Sequence, residues 1–339
     1  MHSGSGNSVK KIATALGALL LVNIGHAAPP AAKPPMLDRS ILHVQVILDK
    51  LGFAPGVLDG KGGQSLVAAL KGFQTANGLA VTGKADTVTL RALYPYRNWR
   101  PTVTLPVTAE ELAGPFVNPL PKDPIEQAKL PSLGYRNALE ALAERFHTTP
   151  DTIVSLNPPG TRLAVGTKII FPNAVPTSQA YDVKDPVWLA TLQSLNVGAI
   201  QPKAKRIVVD KSESVLKVYD DKDRLVAQFP ATMGSTHDPL PIGKWTIKGT
   251  SYNPKFHYNS KLFWDADNKD EKAMLPPGPN GPVGVVWIDL SKPHYGIHGT
   301  SSPETISRAE SHGCIRLTNW DAARLAQMVK TGVPAVFQP

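Results

Sequence analysis

Cys314 is the only cysteine in 339 residues, and it lies in the run Ser311-His312-Gly313-Cys314-Ile315-Arg316. Thirteen residues before that run begins stands His298-Gly299-Thr300. A single thiol cannot form an internal disulfide, so it is either buried filler or a reagent. A free thiol with a pKa of about 8.5 is only about 3% thiolate at pH 7. Nucleophilic use therefore needs a base within hydrogen-bond reach, which can later protonate the leaving amine. His298 fits that role at the end of an expected strand, Tyr295-Gly296-Ile297. His312, two residues from the thiol, is a second candidate on the same face of an extended segment. Gly313 lets backbone approach, so the Gly313 and Cys314 amides are candidate donors to a tetrahedral oxyanion. Gly299 could offer a carbonyl to orient the imidazole, in place of a triad carboxylate.

Metal binding competes for the same residues. His294, His298, His312 and Cys314 are close in sequence. But His294 and His298 flank a strand, where four residues span roughly 13 Å. The spacing also matches neither a zinc finger nor HExxH. No metal and no cofactor is expected.

The N-terminus bears on compartment. Lys10 and Lys11 precede an apolar stretch over 12–25, too short for a comfortable span, and Gly25-His26-Ala27 offers small residues for cleavage. Residues 1–27 read as a signal peptide, and no later segment is apolar enough to cross a bilayer. An exported protein gains from an unpaired thiol only if the thiol is used or deeply buried. The net charge of +9 falls by two, to +7, when Lys10 and Lys11 leave with residues 1–27. That charge suits an anionic wall polymer or membrane surface, or simple solubility. The cations are scattered, without the basic, aromatic-interleaved patch that nucleic acid needs.

The elements that must position the site come in blocks. Residues 37–94 predict three helices: one capped by Ser40 and closed by Gly52, one over 65–75, and one over 86–93. Residues 95–131 carry eight of the 32 prolines and predict an extended linker. Residues 132–174 predict two helices, with Leu139, Leu142, Ala143 and Phe146 on one face, then a turn and a strand at 163–172. Residues 175–203 connect onward. From 204 to 338 the texture is mostly strands: a hairpin over 206–229, then 243–247 and 285–288. A long aromatic stretch over 252–284 is expected to be a lid or binding loop. A closing helix is capped by Thr318 or Asn319 and stopped by Gly332 and Pro334. The fold class is multidomain α+β.

Three resemblances follow from these residues. Leu51-Gly52-Phe53, Asp59-Gly60, Phe73-Gln74 and Val81-Thr82-Gly83 resemble the peptidoglycan-binding-domain-1 family, a three-helix module. The layout of 132–174 resembles LysM, a βααβ module that binds N-acetylglucosamine polymers. It departs from LysM in carrying Arg136-Asn137-Ala138 where Gly-Asp-Thr is usual just before the first helix. His298-Gly299-Thr300 followed by Ser311 to Leu317 closely resembles the signature of the L,D-transpeptidase catalytic domain (YkuD-like). Pro241-Ile242-Gly243-Lys244-Trp245 and the 275–284 run agree.

The third resemblance implies an exported, periplasmic or wall-associated enzyme acting on peptidoglycan stem tetrapeptides and glycan strands. Cys314 is implied as nucleophile, His298 as base and proton donor, and Gly299 as carbonyl partner, with His312 and Gly313 shaping the oxyanion region. Tyr295, Ser311 and Arg316 are expected to meet substrate, and Arg316 could instead order the loop. The acyl group would pass to a second stem, giving a 3→3 cross-link. Alternatives are hydrolysis of the same acyl-enzyme, attachment of a protein lysine, or a non-catalytic wall anchor.

Overall fold

The computed structural model describes residues 37–262, 272–309, 311 and 313–339. The expected signal peptide and His312 lie outside the described residues.

Helices Arg39–Lys50, Gln64–Ala76 and Thr87–Leu93 fall where periodicity predicts them. The first cap is Asp38 rather than Ser40: its carboxylate accepts the Ser40 and Ile41 N–H groups at 2.7 and 3.3 Å. Gly52 leaves the helix at φ +86°, a conformation costly for any residue with a Cβ. Two buried glutamines close the turns. Gln45 accepts from the Gly60 N–H at 2.8 Å, and Gln74 accepts from the Gly83 N–H at 2.8 Å. Leu48, Phe53, Leu70, Phe73 and Leu93 fill the space between the helices.

The proline-rich segment is not a linker throughout. Thr102–Pro106 forms a strand antiparallel to Lys168–Pro172, with Val103 opposite Phe171. Prolines 101 and 106 sit at the ends of this edge strand, where a missing N–H costs no ladder bond. The strand completes a strand–helix–helix–strand unit with Ala138–Arg145 and Pro150–Leu156. Phe146 stacks on Phe171 in its core, centroids 4.1 Å apart. Asn137 caps the first helix, accepting from the Glu140 N–H at 2.9 Å.

The expected connector also contributes structure. Helix Pro186–Ser194 buries Trp188 and Leu192 in the same cluster as Ile207, Ile297 and Trp320. The core of the C-terminal part therefore begins well before residue 204.

The described residues of that part form a nine-stranded sheet. Its order is Leu225–Pro230, Val215–Tyr219, Arg206–Asp210, Pro334–Gln338, Gly243–Tyr252, Val286–Leu290, Gly296–His298, Ile315–Arg316 and Thr232–Met233. The first and last strands in this order are separated in sequence by Ala231 alone. Two edges so tethered cannot lie far apart, so the sheet curls back on itself. Helix Asn319–Met328 is buried along nearly its whole length and packs on the central strands.

The units are joined by backbone and by charge. The Ala54 N–H donates to the Gln228 carbonyl at 2.8 Å, and the Gln228 N–H to the Gly52 carbonyl at 2.9 Å. The three-helix unit thus extends the edge strand Leu225–Pro230. Deeper in, Arg324 meets Asp49 bidentately at 2.7 and 2.8 Å, and Asp321 at 3.2 Å, all buried. The described residues within Leu37–Pro339 pack as one unit.

Candidate active site

Strand pairing brings the expected residues together. Gly296–His298 lies between Val286–Leu290, its antiparallel partner, and Ile315–Arg316, its parallel partner. Ile297 pairs with Ile315, both fully buried, and His298 pairs with Arg316. Alternation then turns His298 and Arg316 to the opposite face, with Cys314, two residues before Arg316, on that side as well. These three residues line one pocket of about 370 Å³ together with Asp238, Tyr295 and Trp287. The expected binding stretch over 252–284 supplies Phe256, His257, Pro282 and Val283 to the same walls. It forms a hairpin, Phe256–Asn259 with Lys272–Leu275, whose tip lies outside the described residues.

His298 is 4% exposed, and its Nδ1 lies 2.7 Å from the Gly299 carbonyl oxygen. A carbonyl can only accept, so Nδ1 carries the proton and Nε2 keeps its lone pair. Burial lowers the imidazole pKa to about 4, against the Gly299 bond that raises it and with the Arg316 charge that lowers it further. The ring is therefore neutral near pH 7. Trp287 stacks on it, centroids 5.6 Å apart and planes 19° from parallel. Gly296 makes room for the indole: a Cβ there would lie 2.4 Å from Trp287.

Cys314 is half-buried, and its sulfur lies 3.8 Å from the His294 carbonyl oxygen. Burial pushes the thiol pKa up and Asp238 adds to the rise. The Gly296 N–H and the Arg316 charge pull the other way without cancelling it. Thiol and imidazole are thus both neutral at rest.

Gly313 has φ +90°, and a Cβ on it would lie 2.7 Å from the Tyr295 ring. The glycine therefore lets the cysteine loop close on the tyrosine. Burial raises the Tyr295 hydroxyl pKa, with Asp238 and Cys314 adding to it. Ser311, expected at the substrate, is buried instead. Its hydroxyl donates to the Cys314 carbonyl at 2.7 Å and accepts from the Gly234 N–H at 2.6 Å. It fastens the loop to the strand that ends at Met233. Arg316 lies in the pocket wall beside His298.

Sequence reasoning missed Trp287 and Asp238. Trp287 was open to it, because the residue alternates with Val286 and Ile288 on a strand and faces the histidine side. Asp238 lies in an irregular loop before Pro241, where no periodicity indicates direction.

Residues 204–337 match the family model of the L,D-transpeptidase catalytic domain (YkuD), and residues 39–93 match that described as "Putative peptidoglycan binding domain". The chain is 29% identical to "Putative L,D-transpeptidase YkuD" of Bacillus licheniformis, over 59% of this chain and 93% of that protein. It is 29% identical to "Probable L,D-transpeptidase YbiS" of Escherichia coli, over 39% of this chain and 44% of that protein. Among solved structures, an L,D-transpeptidase from Mycobacterium smegmatis aligns with 24% identity and a TM-score of 0.32. That alignment covers 39% of this chain and 58% of that one. L,D-transpeptidase 3 from Mycobacterium tuberculosis aligns with 19% identity and a TM-score of 0.32, over 39% and 59%. The chain thus spans less than two thirds of these solved chains. No helix among the described residues is long and apolar enough to cross a membrane.

Proposed function

We propose that the L,D-transpeptidase catalytic domain carried by this chain over residues 204–337 works through an acyl-thioester on Cys314. The observation that supports this most is the tautomer of His298. Its Nδ1–H is committed to the Gly299 carbonyl, so Nε2 is the nitrogen able to take a proton in the pocket that holds the thiol.

The sulfur attacks the carbonyl of the amide joining the third residue of a tetrapeptide stem to its terminal D-alanine. Its proton passes to Nε2 of His298, and the carbonyl oxygen becomes an oxyanion. The Gly313 and Cys314 amides are its proposed donors. Collapse breaks the C–N bond, His298 returns the proton to the departing amine, and D-alanine leaves. The amine of a second stem then attacks the thioester and loses a proton to His298. The thiol is regenerated and a 3→3 cross-link remains. Arg316 supplies the cation for a substrate carboxylate, and Tyr295 forms part of the wall.

The three-helix unit, which matches a peptidoglycan-binding family, is proposed to hold the chain to the wall polymer and raise the local concentration of stems. Because it is bonded to strand Leu225–Pro230, it would also orient the active site on the polymer. The N-terminal 27 residues are proposed to export the chain to that substrate.

A defined disaccharide-tetrapeptide, offered with and without an acceptor stem, tests the reading. D-Alanine release with a 3→3 dimer supports it. Disaccharide-tripeptide and D-alanine as the only products, even with acceptor present, would make the enzyme a hydrolase.

A further inference from the structure

Asn319 opens the helix that follows the cysteine strand, and its side chain is fully buried. Its amide is engaged on both sides. Nδ2 donates to Glu144 Oε1 at 2.7 Å and to the Pro279 carbonyl at 3.1 Å. Oδ1 accepts from the Val285 N–H at 3.2 Å. The oxygen occupies space left by two glycines: a Cβ on Gly284 would lie 1.9 Å from it, and one on Gly299 2.0 Å. Gly299 is the residue whose carbonyl receives the His298 Nδ1–H. One buried amide therefore bonds the entry to strand Val286–Leu290 and packs against the residue whose carbonyl orients the imidazole.

The direction in which that amide faces is set from outside the catalytic domain. Glu144 belongs to helix Ala138–Arg145. It is itself buried and hydrogen-bonded to Tyr135. Burial raises its pKa to about 7, while the Tyr135 hydroxyl and the Asn319 NH₂ both hold it as an acceptor; it thereby turns the Asn319 NH₂ toward itself and leaves Oδ1 for Val285. With the amide reversed, an N–H would face the Val285 N–H, and two donors would meet in a buried space.

We propose that Glu144 is a positioning residue for His298: acting through Asn319, it lets the strand–helix–helix–strand unit fix the peptide that orients the catalytic imidazole. The inference rests on the reading of His298 as the base. It makes the accessory unit part of the catalytic machinery rather than a tether.

Two readouts on the full chain test it: steady-state D-alanine release from the disaccharide-tetrapeptide, and the proton resonance of the His298 Nδ1–H without substrate. Glu144→Ala is expected to lower kcat by up to about 100-fold, with KM within about twofold, and to shift the resonance. Glu144→Met, which fills similar volume without an acceptor, serves as a second variant should the alanine protein not fold. Glu144→Gln keeps an acceptor for Asn319 and is expected to restore both readouts. The proposal is overturned if Glu144→Ala or Glu144→Met keeps the wild-type kcat and resonance. It is also overturned if Glu144→Gln fails to restore them. A wild-type chain that releases no D-alanine would sink the proposed reaction, while the substrate-free resonance would still decide the bridge.

Discussion

The Nδ1 of His298 donates to the carbonyl of Gly299, its own neighbour in the chain, at 2.7 Å. The imidazole Nδ1–H thus bonds to backbone rather than to a third side chain. Any substitution that moves this peptide should disturb catalysis without touching a side chain in the pocket. Gly299→Ala would put a Cβ 2.0 Å from Asn319 Oδ1. It is expected to cut kcat and lower the melting temperature together, measured by product release and calorimetry.

His298→Ala should reduce acyl-enzyme formation by about 10²- to 10⁴-fold, the usual contribution of a positioned base. Imidazole added to the buffer should recover part of the loss in stopped-time mass spectrometry. Undiminished acylation would move the base elsewhere, with His294 and His257 of the pocket wall as the alternatives.

The pKa shifts set a pH dependence. His298 must be neutral to take a proton, and its pKa is lowered to about 4. Acylation should therefore hold roughly level through pH 6 and fall only as pH drops toward 4. The thiol is raised, so alkylation by iodoacetamide, a neutral reagent, should increase with pH through a midpoint above that of an ordinary cysteine. Stability carries the same sign for the histidine. The unfolded ring, with a pKa near 6.5, binds protons that the folded ring refuses. The His298 contribution to stability is present above that value and is lost as pH falls from about 6.5 to 4. Chemical denaturation of wild type and His298→Asn across that window would read it.

Gly313→Ala combines a left-handed φ with contact against Tyr295. The backbone cost alone is about 1–2 kcal/mol. Carbamidomethylation of Cys314 should change rate in this variant, because the loop that carries the thiol must shift to admit the methyl group.

Arg324 is the buried cation that ties the three-helix unit to the catalytic domain through Asp49. Asp49 is held well below the usual carboxylate range despite burial, while burial raises Asp321 to about 7, so the ion pair belongs to Asp49. Arg324→Ala should cost about 3–5 kcal/mol, and Arg324→Met with Asp49→Leu should recover only part of it, because buried His147 and Asp321 then lose their partners. Calorimetry should show one unfolding transition in the wild type. Two well-separated transitions would mean the units fold independently.

The sequence made the chemistry easier to read than the architecture. His298 and Cys314 stand in motifs whose spacing reflects a local pairing, two parallel strands joined by one loop. The first three helices show plainly because their apolar faces repeat every three to four residues. Strand Thr102–Pro106 was hidden by the prolines around it, and its partner lies more than sixty residues on. Ser311 resembles a polar contact for substrate, and only the fold reveals Gly234 as the partner of its hydroxyl. Glu144 and Asn319 carry no local sign of each other across 175 residues. Side chains whose meaning depends on distant partners are the ones a linear reading loses.

Intact-mass and peptide mapping of the full chain, after incubation with disaccharide-tetrapeptide alone, tests the central claim most directly. The expected result is one adduct on the peptide containing Cys314, with the mass of the donor less D-alanine, which is discharged as a 3→3 dimer when an acceptor stem is added. D-Alanine release with no adduct in the wild type, or undiminished release by Cys314→Ala, would contradict it.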